Sequence, residues 1–167
     1  MGGEALLTIG EIYKENSKIV YGFLLSYTKD ASLSEELTQE TFLRAIKSIH
    51  KYNGKCKISV WLCQIAKHIL FQEWEKRGKT INVSYDENIQ IKGDSTEELV
   101  ISNENKKSIY KIIQSLENPY KEVIYLRLTG DLSFKEISEI LGKSENWARV
   151  TFYRGKSKLI RRLEDGE

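Results

Sequence analysis

Ser133-Phe134-Lys135-Glu136-Ile137-Ser138-Glu139-Ile140-Leu141-Gly142-Lys143-Ser144 is the stretch on which the fold reading turns. Ser133 with Glu136 three residues later is a capping box, in which each side chain bonds the other's backbone N–H and starts a helix. Phe134, Ile137, Ile140 and Leu141 then share one face. Gly142 suits the end of that helix, and Ser144 suits the start of a second one reaching about Leu163. Two helices joined through a short glycine turn have the proportions of a helix-turn-helix. Along the second, Ala148, Phe152, Gly155 and Leu159 recur at helical spacing and are predicted to pack inward. Asn146, Arg149, Tyr153 and Lys156 recur on another side, flanked by Arg154 and Lys158.

Between Lys143 and Arg162 there are seven basic residues, opposed only by Glu145. Small or apolar groups inside and long donors outside are what a helix needs to enter a major groove. Arg149 lies in the early turns, where its fork suits a guanine edge; the later basic residues suit phosphates. A solvated basic face of an interaction domain carries the same charge pattern, and the capped helix and glycine turn ahead of it weigh toward DNA.

Working outward, Ile109, Ile112, Ile113 and Leu116 form a stripe that ends at Glu117-Asn118-Pro119. Pro119 suits the first turn of a helix carrying Val123, Ile124, Leu126 and Leu128, and Thr129-Gly130-Asp131 stops it. Residues 101–167 therefore read as a four-helix unit. Residues 80–100 carry one basic and five acidic side chains with no helical period, which reads as a flexible linker. Residues 11–79 read as a second helical unit. Its first helix shows Ile12, Ile19, Val20, Phe23, Leu24 and Tyr27. Ser32 and Glu35 are spaced as a capping box for the next, with Phe42, Ala45, Ile46 and Ile49 as its apolar face. After Asn53-Gly54, a long helix has Ile58, Trp61, Leu62, Ile65, Ala66 and Ile69 as its stripe, so Trp61 reads as core. Residues 1–10 read as a tail. The expected fold is all-α: two small helical domains joined by a flexible linker.

Several function classes drop out. No nucleophile–base pair, glycine-rich phosphate loop or metal motif stands out, so no enzyme, cofactor or metal is expected. Cys56 and Cys63 lie near His50 and His68, but at spacings that match no common zinc finger, and they read as two buried thiols. No apolar run is long enough to span a bilayer and no signal peptide is apparent, so a cytoplasmic location without membrane insertion is expected.

Two blocks resemble a known family. Residues 116–123 and 133–142, with Ser144 to Lys156, are similar to region 4 of the extracytoplasmic-function (ECF) sigma factors of the sigma-70 family. Far upstream, Glu35-Glu36-Leu37-Thr38-Gln39-Glu40-Thr41-Phe42-Leu43-Arg44-Ala45 resembles region 2.2, and Trp61 to His68 resembles the start of region 2.3. The resemblance implies a dissociable promoter-specificity subunit whose partners are core RNA polymerase (β′ clamp helices and β flap), promoter DNA and an anti-sigma factor. It turns Glu35, Glu36, Gln39, Glu40 and Arg44, by periodicity alone a solvated helix face, toward polymerase. It assigns the −10 strand to Tyr52, Gly54, Lys57, His68 and Gln72, and the −35 duplex to Lys143, Ser144, Asn146, Arg149, Val150, Tyr153, Arg154 and Lys156. The acidic linker would thread the polymerase cleft. This chain departs from the pattern at His68, where Asn is usual, at Gln72, where Asp is frequent, and at Glu75, where Arg is frequent. Asn146-Trp147 replaces Gly-Thr, and Gly155 replaces a small Ala at a cost to the helix of roughly 1 kcal/mol. The competing reading is a conventional helix-turn-helix regulator that binds an operator without polymerase.

Overall fold

The computed structural model describes residues 2–78 and 106–166, with side chains from residue 9 in the first stretch and from residue 108 in the second. The linker expected at 80–100 lies outside the described residues. Those described form seven α-helices: α1 (Gly2–Thr28), α2 (Ala31–Ser48), α3 (Ile58–Lys76), α4 (Lys106–Ser115), α5 (Tyr120–Leu128), α6 (Phe134–Leu141) and α7 (Glu145–Asp165). The stretch expected as a tail is helical from Gly2 onward.

Helices α1, α2 and α3 pack on one another around Val20, Phe23, Leu24, Val60, Leu62, Cys63, Ala66 and Leu70, all fully buried. Tyr27 meets Phe23 and Trp74 edge-on, which closes the far end of this core. Asp30, not Ser32, caps α2: its carboxylate accepts from the Leu33 N–H at 3.1 Å, so the helix starts two residues earlier than the Ser32–Glu35 spacing predicts.

The buried face of α2 also departs from the apolar pattern. It is centred on Ser34, Thr38, Thr41 and Ala45, with Leu37 and Phe42 at its edges. Thr38 and Thr41 donate their hydroxyls to the carbonyls of Ser34 and Leu37, one turn back, at 2.6 and 2.7 Å. Hydroxyls satisfied within their own helix enter a core without stranding a polar group. That rotates the helix and leaves Ile46 45% and Leu43 54% exposed, where the periodicity of apolar residues had placed Ile46 inside.

In the second unit α5 is the centre. Every residue from Lys121 to Leu126 is buried, because α5 touches α4, α6 and α7 and also α1 of the first unit. The Ser133–Glu136 capping box forms as predicted, at 2.9 and 3.1 Å. Gly142 ends α6 in the left-handed region (φ 67°), which a β-carbon would strain. Gly155 sits where a Cβ would lie 2.6 Å from Ile124 Cδ1 and 3.2 Å from Tyr120 Cβ, so the missing side chain lets α7 close on α5.

The two units meet along two seams. On the first, Tyr125 donates to the Lys18 carbonyl at 2.8 Å over Gly22. On the second, α3 packs against α6: Lys67 Nζ donates to the Ile140 carbonyl at 3.2 Å, near the C-terminal end of α6 where a cation suits the helix dipole. Lys57 pairs with Glu136 at 3.4 Å across the same seam. Cys63 lies fully buried in the first unit, and burial pushes its thiol up to about 12. Cys56, expected to be buried as well, is only partly covered.

Candidate nucleic-acid interface

α7 starts on the Ser144 hydroxyl, which accepts from the Trp147 N–H at 3.0 Å. Ala148, Phe152, Gly155 and Leu159 face inward as the spacing predicts, and Trp147 and Thr151 join them. This leaves Lys143, Ser144 and Asn146 at the positive, N-terminal end of the helix, with Ser144 and Asn146 exposed and Lys143 and Arg149 partly so. Arg154 is exposed one turn further on.

Three of the expected DNA-facing residues are less accessible. Tyr153 rests its ring on Phe134 and Phe152, in an aromatic cluster over which the Arg127 guanidinium lies 4.4 Å from the Phe134 centroid. Val150 is 4% exposed, as an apolar side chain is where water can be shed. Lys156 is 5% exposed beside Gly155, where α7 comes closest to α5 and its aliphatic stem can be covered. Further along, Lys158 bridges to Glu117 at 3.1 Å and lies over the Tyr120 ring, and Arg162 bonds Ser115. These two cations therefore tie α7 to α4 and α5. Of the expected DNA-facing residues, Ser144, Asn146 and Arg154 are exposed and Lys143 and Arg149 partly so; Arg161 and Arg162 add exposed cations near the C-terminal end of α7.

In the first unit, the residues assigned to single-stranded DNA divide. Trp61, Ile65 and His68 line an open cavity of about 480 Å³ with Arg44, Lys47, Ser48 and Gln64. Trp61, read as core from its place in the stripe, keeps one side on the core and another on this cavity. Tyr52 supports it from behind, with ring centroids 5.2 Å apart and its hydroxyl bonded to the Cys56 carbonyl. Gly54 is exposed at φ 74°, and Lys57 is turned toward Glu136; neither lines the cavity. Gln72 sits one turn beyond His68, bonded to it and to Arg44.

On α2, Glu35, Glu36 and Gln39 are exposed, with Glu40 and Arg44 half-buried and paired at 3.1 Å. Leu43 and Ile46 extend the same outer face, and the sequence reading missed both. The available signal was Leu43 itself, which lies off the stripe of Phe42 and Ala45 by helical angle.

Residues 12–80 match the model of Sigma-70 region 2, and residues 106–159 match that of Sigma-70, region 4. The ECF RNA polymerase sigma factor SigM of Bacillus subtilis is 33% identical over 153 residues, spanning 92% of this chain and 93% of that protein. The chain is an ECF sigma factor of the sigma-70 family. It is also similar to SigX of the same organism, at 28% identity over 92% of this chain and 82% of that one. In fold, this sigma factor resembles RpoE from Bartonella quintana in complex with the anti-sigma factor NepR (TM-score 0.64, 18% identity, 98% and 96% of the two chains). It likewise resembles CnrH in complex with the cytosolic domain of CnrY (TM-score 0.64, 15% identity, 95% and 89%). Sigma factors are transcription initiation factors, not enzymes, and this one selects promoters for RNA polymerase. Among the described residues, no helix of the sigma factor is long and apolar enough to cross a membrane.

Proposed function

We propose that this sigma factor contacts its promoter at two points, reading the −35 duplex with the first half of α7 and the melted −10 strand at the cavity between α2 and α3. The observation that carries the first is the α6–Gly142–α7 geometry: a capped, buried α6 presents the N-terminal turns of α7, with Arg149, Asn146 and Arg154 at the surface. The second rests on the cavity bounded by Trp61 and His68, where an aromatic face and polar edges meet as unstacked bases require. The outer face of α2, with Glu35, Glu36, Gln39, Glu40 and Arg44, is the polymerase-docking surface. Leu43 and Ile46 supply its apolar centre, since exposed apolar groups ringed by charge mark an interaction site. The units span 11–79, with α1 running on N-terminally to Gly2, and 101–167, with 80–100 as linker. Because both solved relatives are bound to anti-sigma factors, an anti-sigma partner for this chain follows, and its site of action is the cytoplasm with polymerase.

The test is reconstituted run-off transcription with core polymerase and a promoter library, paired with footprinting of the sigma factor alone. Promoter-specific transcripts with core, and weak protection without it, are expected. A sharp footprint without polymerase would instead support the operator-binding regulator.

Within that assay, Arg149→Ala is expected to cost roughly 1–3 kcal/mol at one −35 position and to relax selection there. Arg154→Ala should weaken all promoters alike and flatten the salt dependence. Equal effects of both variants on every promoter sequence would sink the recognition-helix assignment.

A further inference from the structure

Arg44 forms the ridge between two hollows. On one side is a polar groove of about 290 Å³ lined by Glu36, Glu40, Gln72, Glu73 and Lys76. On the other is the cavity bounded by Trp61 and His68, and the Arg44 side chain lines both. Its Nε donates to Glu40 Oε1 on its own helix at 3.1 Å. Its Nη1 crosses to α3 and donates to Gln72 Oε1 at 2.9 Å. Gln72 Nε2 lies 3.2 Å from His68 Nε2.

The chemistry of these groups allows only one proton arrangement along this chain. A guanidinium has five N–H donors and no acceptor, so the amide atom it meets must be the oxygen. The amide NH₂ then faces His68. It too can only donate, so His68 Nε2 must accept, and the ring proton resides on Nδ1. Take Arg44 away and the amide can turn over, offering its oxygen to His68 and drawing the ring proton to Nε2. The tautomer of His68, a residue that lines the cavity, thus depends on a residue of the neighbouring helix.

We propose that Arg44 is a positioning residue for base selection in the melted −10 strand: acting through Gln72, it holds His68 as an Nδ1–H donor. The base read there is one whose edge presents an acceptor, a ring nitrogen or a carbonyl oxygen. This rests on the −10 reading above and adds to it a second role for Arg44, which the docking face alone does not require. Because Glu40 holds the other edge of the guanidinium, the docking face and the base-reading ring share one hydrogen-bonded chain. The side chains of Arg44 and Glu40 are 42% and 46% exposed, and Gln72 and His68 are exposed as well, so their replacement should leave the fold intact.

The experiment has two arms on the full chain. The first reads the imidazole ¹⁵N shifts of His68, in a His50→Gln background that removes the other histidine. Parent protein should show a protonated Nδ1 and an accepting Nε2, and Arg44→Ala should mix the two tautomers. Gln72→Glu, whose carboxylate only accepts, should place a proton on Nε2. The second arm assembles holoenzyme with core polymerase and transcribes a library randomised across the −10 element. Arg44→Ala, Gln72→Ala and His68→Ala should relax selection at the same base position, by about 3- to 10-fold. The Arg44→Ala/Gln72→Ala pair should do no worse than either alone. If Arg44→Ala lowers transcription evenly while the other two still shift base preference, the positioning role is overturned and the −10 reading survives. If none of the three shifts it, the −10 reading falls and takes the proposal with it. A His68 tautomer indifferent to Arg44 and Gln72 would likewise overturn the relay.

Discussion

Gly22→Ala is expected to break the seam between α1 and α5. An alanine Cβ at that position would lie 1.9 Å from the Tyr125 hydroxyl oxygen and 2.0 Å from Cζ, far inside contact distance. The ring is rigid, 5% exposed and tethered by its bond to the Lys18 carbonyl, so it cannot step aside without giving that bond up. Overpacking of this kind costs about 1–3 kcal/mol, and the lost hydrogen bond adds about 1 kcal/mol. For a chain of this size that amounts to a fall in Tm of several degrees, on the order of 2–4 °C per kcal/mol. The readout closest to the cause is Cys63, fully buried and almost wholly thiol at neutral pH. Its modification by a thiol reagent should be slow in the parent and much faster in Gly22→Ala. Tyr125→Ala removes the obstacle, so adding Gly22→Ala to it should cost little more. A double variant as unstable as the sum of the singles would show that the clash is not the mechanism.

The second large effect has the opposite sign. Lys121 has no exposed surface, and its Nζ has no hydrogen-bond partner among the described residues. Desolvation, with Lys29 nearby, pulls its pKa down from 10.5 to about 8, against the opposing pull of Glu122. Below pH 8 the ammonium is charged in both folded and unfolded chains, and the folded chain bears the whole cost of hiding it. Between pH 8 and 10.5 the folded chain binds fewer protons than the unfolded one, so stability rises with pH and the cost is relieved. The pKa difference sets a ceiling of about 3 kcal/mol. Lys121→Met keeps the volume and drops the charge, and should stabilise the protein by about 1–3 kcal/mol at pH 7. Its advantage should shrink as pH climbs from 8 toward 10.5. Chemical denaturation at several pH values checks both points, and an advantage independent of pH would assign it to packing alone.

Much of the second unit was legible from short-range pattern. The Ser133–Glu136 box, the Gly142 turn and the inward set Ala148, Phe152, Gly155 and Leu159 all depend on contacts within a helical turn or two, and all are found. The first unit was less transparent on α2. There the reading took apolar residues for the core face, whereas the chain buries Thr38 and Thr41 with their hydroxyls turned onto their own backbone. Once those two are inside, helical geometry puts Leu43 and Ile46 outside. The same applies to α7, where charge suggested that Lys156 and Lys158 face solvent. One is covered, and the other is engaged by Glu117 and Tyr120.

The helix-turn-helix around Arg149 followed from residues three and four apart, because caps, turns and helical faces are set by neighbours along the chain. The pattern of its two blocks was likewise enough to identify the family. What Arg44 does for His68 could not be read that way. The two lie 24 positions apart on different helices, and their link through Gln72 exists only once α2 and α3 pack at a particular rotation. The seam of Gly22 against Tyr125 spans still more chain, and a glycine chosen for what must fit over it leaves no local trace. Local periodicity encodes where helices begin, end and turn. Rotation about each axis, and the partners each surface residue meets, come from burial summed over the whole packed chain.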